Sequence, residues 1–133
     1  MKNLLPNLAG VVLGLLFLMA GGMFLLGMVP KTDPPPEGSP MAHFFAALAP
    51  TGYLTFVKVC EVLGGLLVMI PRTRCLGLLV LGPIALNILA FHLFVGGASG
   101  LAQPMTAAAL LLPLYLLWAE RKAFAALVRS PRA

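Results

Sequence analysis

Residues 53–74 read Y-L-T-F-V-K-V-C-E-V-L-G-G-L-L-V-M-I-P-R-T-R. The stretch Tyr53–Ile70 is apolar and about as long as a bilayer is thick, so it predicts a spanning helix. Two charges, Lys58 and Glu61, interrupt it three positions apart and share one face of that helix. Pro71–Arg74 is a tight basic connection, and Cys75–Val95 is a second apolar run directly beyond it. Only helices and closed barrels satisfy their own backbone groups in lipid. These Leu-rich runs lack the alternation of barrel strands, so the pair predicts a helical hairpin in a membrane.

Two further apolar runs lie outside the hairpin, Leu4–Val29 and Pro104–Trp118, the latter extending naturally over 101–119. The pattern predicts an all-α integral membrane protein. One domain over 1–133 forms an antiparallel bundle of four spans, about 4–29, 53–70, 75–95 and 101–119. The first run is too long for the apolar core of a signal peptide and lacks a small-residue cleavage site, so it reads as a span. Composition agrees. The chain is 60% hydrophobic and 10% charged, whereas a water-soluble domain carries about a quarter charged residues. The net charge of +5 and the basic pI near 9.8 do not point to nucleic acid, because the basic residues flank apolar segments instead of forming one patch. Cys60 and Cys75 fall near opposite ends of a span, about 22 Å of helix apart. That is too far for a disulfide, and both read as structural thiols.

Lys2, Arg72, Arg74, Arg121, Lys122, Arg129 and Arg132 all fall on one side of these spans, and the other side carries Lys31, Asp33 and Glu37. The positive-inside rule then places both termini in the cytoplasm. Tyr53 at one boundary and Tyr115 and Trp118 at the other suit aromatic belts. The first outer loop begins stiff and proline-rich, P-K-T-D-P-P-P-E-G-S-P over 30–40. Ser39 then suits an N-cap and Pro40 a first helical turn. Met41, Phe44, Phe45 and Leu48 make one apolar stripe. A short helix over about 40–49 is expected, lying in the interface or closing over the bundle as a lid that carries His43, Phe44 and Phe45.

Charges near the middle of a membrane are costly and tend to face inward and pair. Lys58 lies about 8 Å and Glu61 about 12 Å below the outer boundary. Lys58 can reach the interface; Glu61 needs a partner. Counting back from Val95, Asn87 is level with Glu61, and His92 lies near the boundary at about the depth of Lys58. Lys58, Glu61, Asn87 and His92 are therefore the candidate lining of a polar pocket in the outer half, although Asn87 and His92 stand about 140° apart on an ideal helix. Each has a plainer reading. Lys58 and Glu61 can simply pair, Asn87 can bond between helices, and His92 can bond a loop carbonyl. No metal-ligand spacing is present, and no phosphate loop, nucleophile triad or haem-attachment motif. Phe44, Phe45, Phe56, Phe91 and Phe94 cluster toward the same half. Such a setting suits a flat apolar ring with two carbonyls, for instance a quinone head group, with Lys58 or His92 donating and Glu61 relaying a proton.

The stretch T-G-Y-L-T-F-V-K-V-C-E-V-L-G-G-L-L-V-M-I-P-R-T-R, followed by L-G-P-I-A-L-N-I-L-A-F-H-L-F, resembles the DoxX family of small four-helix bacterial membrane proteins. The resemblance covers nearly the whole chain. It implies a four-helix bundle in the bacterial inner membrane and a link to quinone-dependent oxidoreductases, alongside other membrane subunits. With no cofactor attached to the chain itself, the expected role is a quinone-linked redox or accessory subunit. The alternatives are a non-catalytic structural subunit that packs on a larger complex through glycine-rich faces, and a carrier of a small anion or sulfur compound.

Overall fold

The computed structural model describes residues 3–129. Among them the chain is helical, with no strand. Helix α1 spans Leu4–Leu25, α2 Pro40–Leu48 and α3 Tyr53–Met69. A single 3-10 turn, Pro71–Thr73, leads into α4, Arg74–Phe91. A π turn over His92–Gly96 and a 3-10 segment over Ala98–Ala102 connect it to α5, Pro104–Ala119, and α6 follows at Arg121–Val128.

The four long helices pack in a ring: α1 on α3, α3 on α4, α4 on α5, and α5 back on α1. Leu13 and Phe17 of α1, Val68 of α3, Leu78 and Leu81 of α4 and Leu116 of α5 fill its centre. The outside is just as apolar. Leu8, Leu15, Leu63, Leu66, Leu79, Leu86, Leu111 and Leu114 are all exposed. Helices that are hydrophobic all round belong in lipid, since water would have to be ordered around every face. Two of them, α1 and the segment Pro71–Gly96, are long and apolar enough to cross a membrane. A third counts if α2 and α3, which meet at 81°, form one bent span. The chain is thus a membrane protein by its helices. The sequence pattern asked for four spans, but α3 has 17 residues and α5 only 16, about 24–26 Å each.

The helix ends differ from the expected ones for local reasons. The first apolar run continues to Val29, yet α1 stops at Leu25. Gly27, at φ +71°, turns the chain into a Schellman cap. Its N–H donates to the Phe24 carbonyl at 3.1 Å, and the Met28 N–H to Met23 at 2.8 Å, which satisfies the last carbonyls of the helix. Ser39 caps α2 as expected, accepting from the Ala42 N–H at 3.2 Å, and that helix ends at Leu48 instead of 49. Gly52, at φ +82°, turns the chain into α3, which ends one residue short of Ile70. The third run starts at Arg74 and loses α-helical form after Phe91, four residues before Val95. The fourth begins at Pro104; Leu101 belongs to the 3-10 segment before it. Pro83 and Pro113 sit within α4 and α5 without ending them. Helix α6 was not expected, because its residues read only as a basic tail. Lys2 and Arg132, counted in the charge bias above, lie outside the described residues.

Glycine sets the closest approach in the ring. A Cβ added at Gly65 would lie 2.9 Å from the Gly14 carbonyl oxygen, and one at Gly77 would lie 2.5 Å from the Val68 nitrogen. At Gly82 nothing lies within 4 Å. Gly65→Ala is expected to lower the melting temperature in detergent, because overpacking costs about 1–3 kcal/mol and outweighs the gain in helix propensity. Gly82→Ala is expected to leave it unchanged or raise it, by up to about 1 kcal/mol of propensity. Equal effects at the two positions would show that the α1–α3 seam is not the tight one.

Candidate functional site

Lys58 and Glu61 lie one turn apart on α3 and bond directly: Nζ is 3.3 Å from Oε1 and 3.2 Å from Oε2. Glu61 is 4% exposed, and the Lys58 side chain 22%. The lysine is the more exposed partner, and the carboxylate is enclosed. Helix α1 covers the pair from one side. A Cβ at Gly21 would come within 2.9 Å of the Lys58 carbonyl oxygen and 3.4 Å of the Glu61 Cβ. The ammonium also lies 5.8 Å from the centre of the Phe24 ring, within cation–π range. Removing two charges from water is costly, and the mutual bond, the ring and the partial exposure of Lys58 offset that cost.

On the other side of the pair a cleft of about 190 Å³ opens between α2, α3 and α4. Lys58, Glu61, Asn87 and His92 all line it. The four candidate positions thus come together, including the two that an ideal helix would hold apart. The cleft is wide enough to take in both, since its lining along this segment runs from Ile84 to His92. Asn87 is exposed at the cleft and its side chain has no hydrogen-bond partner among the described residues. His92 packs its ring on Gly100, where a Cβ would come within 2.5 Å of Nδ1. That Nδ1 is buried and has no partner, so the loop carbonyl bond does not form there. Of the expected lid residues, Phe44 and Phe45 line the cleft. His43 is exposed and does not line it, because its position on α2 faces away. Phe91 completes the apolar wall, with ring centres 5.0 Å from Phe44 and 5.8 Å from Phe45. Phe56 and Phe94 point outward.

A second cavity, also about 190 Å³, lies inside the ring, lined by Leu16, Phe17, Ala20, Met105, Thr106 and Ala109. It too is bounded by Lys58, Glu61 and Ile88. The ion pair is therefore a partition with a cavity on each side. Among the described residues no group of His, Cys, Asp and Glu is placed to hold a metal ion. Cys60 and Cys75 are free and half-buried.

Sequence reasoning missed a second polar cluster at the other end of the ring. Arg74, read as a turn residue, is 3% exposed. Its Nη2 donates to the Asn7 Oδ1 at 2.8 Å, and its Nη1 lies 3.3 Å from the Glu120 Oε1. Three helices are thereby tied by one guanidinium. The signal was present: Glu120 is an acidic residue beside basic ones at the end of the fourth run, and Asn7 is a polar residue inside the first. The side chain left behind decides what breaking this pair costs. Glu120→Ala strands a buried cation, whereas Arg74→Met leaves a carboxylate that is 27% exposed and substitutes an apolar chain of similar length. Glu120→Ala is expected to destabilise by about 3–5 kcal/mol and Arg74→Met by clearly less, as read from thermal melting in detergent. The opposite order would mean that the arginine is not the enclosed partner.

No protein-family model, no curated protein and no solved structure matches the chain.

Proposed function

We propose that this chain is a DoxX-like accessory or redox subunit of the bacterial inner membrane, whose cleft binds a quinone head group. In this reading α1, α3, α4 and α5 each cross the bilayer and both termini are cytoplasmic. The two shorter helices reach across with a modest local thinning of the bilayer. The observation that carries the proposal is the cleft itself. One wall is three packed phenylalanine rings, its base is an ion pair, and two polar side chains without partners stand at its rim. A flat apolar ring with two carbonyls fits that combination. The phenylalanines cover the ring faces by offset or edge contacts. The Lys58 ammonium has three N–H groups and retains capacity for a ligand carbonyl beyond Glu61. Asn87 can donate to a second acceptor, and the His92 ring lines the cleft beside it. When Lys58 turns to a ligand, Glu61 is left as the nearest proton acceptor. Quinone bound there would supply the electron chemistry, with another membrane subunit as the electron partner.

One feature favours the structural-subunit reading. Gly10, Gly14, Gly21, Gly64, Gly65 and Gly77 are all consumed by contacts inside the molecule, but the face around Gly82 is open. Leu86, Leu111 and Leu114 beside it form an apolar groove between α4 and α5 that suits a neighbouring helix. The carrier reading has less support, since Lys58 already faces a carboxylate.

Organic extraction of protein purified from its native membrane in mild detergent tests the proposal. Quinone is expected in the extract, reduced at least several-fold per folded protein in Lys58→Met and Glu61→Gln, although each variant removes one partner of an enclosed pair and is also expected to melt lower. Wild-type protein without quinone, or variants that retain it fully, would sink the proposal. Large subunits at fixed stoichiometry in its place would establish the structural role.

A further inference from the structure

At the end of the ring opposite the Lys58 cleft lies a cavity of about 350 Å³ lined by Asn3, Arg74, Tyr115, Trp118, Glu120 and Arg121. We propose that it binds the phosphate group of an anionic ligand, with Arg74 and Arg121 as counter-charges. The inference shares no residue with the quinone cleft and rests only on the chain being a membrane protein.

Three observations carry it. First, two guanidinium groups face one carboxylate, so the site favours an anion. Second, Arg74 is enclosed yet under-used. Of five N–H groups on a guanidinium, the described residues take one on Nη1 and one on Nη2, while the buried Nε has no partner. The Nη1–Glu120 contact, at 3.3 Å, is longer than a strong charge-assisted bond of about 2.7–2.9 Å. The Nε packs against Gly10, where a Cβ would lie 3.0 Å from it, so the N–H groups left for a ligand are the second ones on Nη1 and Nη2, and a tetrahedral phosphate with several acceptor oxygens matches that pair. Third, Arg121 is held at the rim and not left free. It lies 4.5 Å over the Trp118 ring, and its Nη1 donates to the Trp118 carbonyl at 2.8 Å. Tyr115 and Trp118 are residue types that sit at headgroup depth, and basic pockets between spanning helices take anionic headgroups. A metal cation would meet two positive charges here, and a neutral polyol would leave the guanidinium charge uncompensated.

Native mass spectrometry of the full chain, released from phosphatidylcholine nanodiscs doped with phosphatidylglycerol, tests this. Arg121→Gln is expected to lower the retained phosphatidylglycerol about tenfold, the worth of one charge-assisted bond. Arg121 is exposed, so that variant should fold. Glu120→Gln keeps the acceptor for Arg74 but removes the competing charge, and is expected to raise retention. Lys122→Gln removes the same charge from an exposed neighbour outside the cavity and should change nothing. Displacement by added inorganic phosphate would assign recognition to the phosphate alone. Persistence would assign it to a headgroup held together with its chains. Both outcomes support the site. Equal losses in Arg121→Gln and Lys122→Gln would overturn it in favour of diffuse surface charge. Unchanged or lower retention in Glu120→Gln, or no retention of either phosphate source, would also overturn it.

Discussion

The near-contact of the α1 and α3 backbones is the constraint on which the rest of the molecule depends. Gly10, Gly14 and Gly21 lie within about 40° of one another around α1, and each meets a different level of its neighbours. Gly14 faces Gly65 at the middle, Gly21 faces Lys58 and Glu61 toward one end, and Gly10 faces Val68 and Arg74 toward the other. One seam of missing side chains therefore brings a helix wall against both enclosed charge clusters. A single methyl group there would separate the helices and open the Lys58–Glu61 pair or Arg74 to lipid, where charged groups are costly.

The two clusters use the seam differently. Lys58 and Glu61 belong to the same helix, so their pairing needs no neighbour and adds nothing to the tertiary fold. It neutralises α3 locally and leaves the polar atoms free to face two cavities. Arg74 does the reverse. It joins residues 67 positions apart in the chain at Asn7 and 46 apart at Glu120, and so fixes how α1, α4 and α5 meet. One cluster is built to present polarity to a cleft, and the other to hold the helix ends together around a basic cavity.

Helix existence was legible in the sequence because lipid requires long apolar runs and the chain has them. The depth argument also brought Lys58, Glu61, Asn87 and His92 to one place, since rise per residue is nearly fixed in any helix. Azimuth was not legible. Asn87 and His92 border one cleft despite their spacing, and an outward-facing His43 looks no different from an inward-facing one on a nine-residue helix. Helix ends depended on single glycines, as at Gly27, whose positive φ is a backbone property that hydropathy does not register. Arg74 was misread because a basic residue at a turn is usually solvated. Its burial follows from Asn7 and Glu120 arriving from distant segments. Helix α6 mixes Arg121 and Lys122 with Phe124, Leu127 and Val128, a pattern too short to stand out from a charged tail.

The turn between α3 and α4 bears on how such a chain enters a bilayer at all. Only residues 70–73 separate the two helices, and the Thr73 hydroxyl donates to the Leu67 carbonyl at 2.7 Å, across the turn. Helix α3 is a poor candidate to insert alone, since its lysine and glutamate both oppose transfer into lipid. Helix α4 carries no charge between Arg74 and Phe91 and is strongly apolar. Where α3 and α4 both cross, as proposed above, a hairpin with so short a turn partitions as one body, so the favourable transfer of α4 carries α3 in with it. Biogenesis thereby sets a limit on evolution of the cleft: the polarity α3 can hold is bounded by the hydrophobicity its tethered partner has to spare.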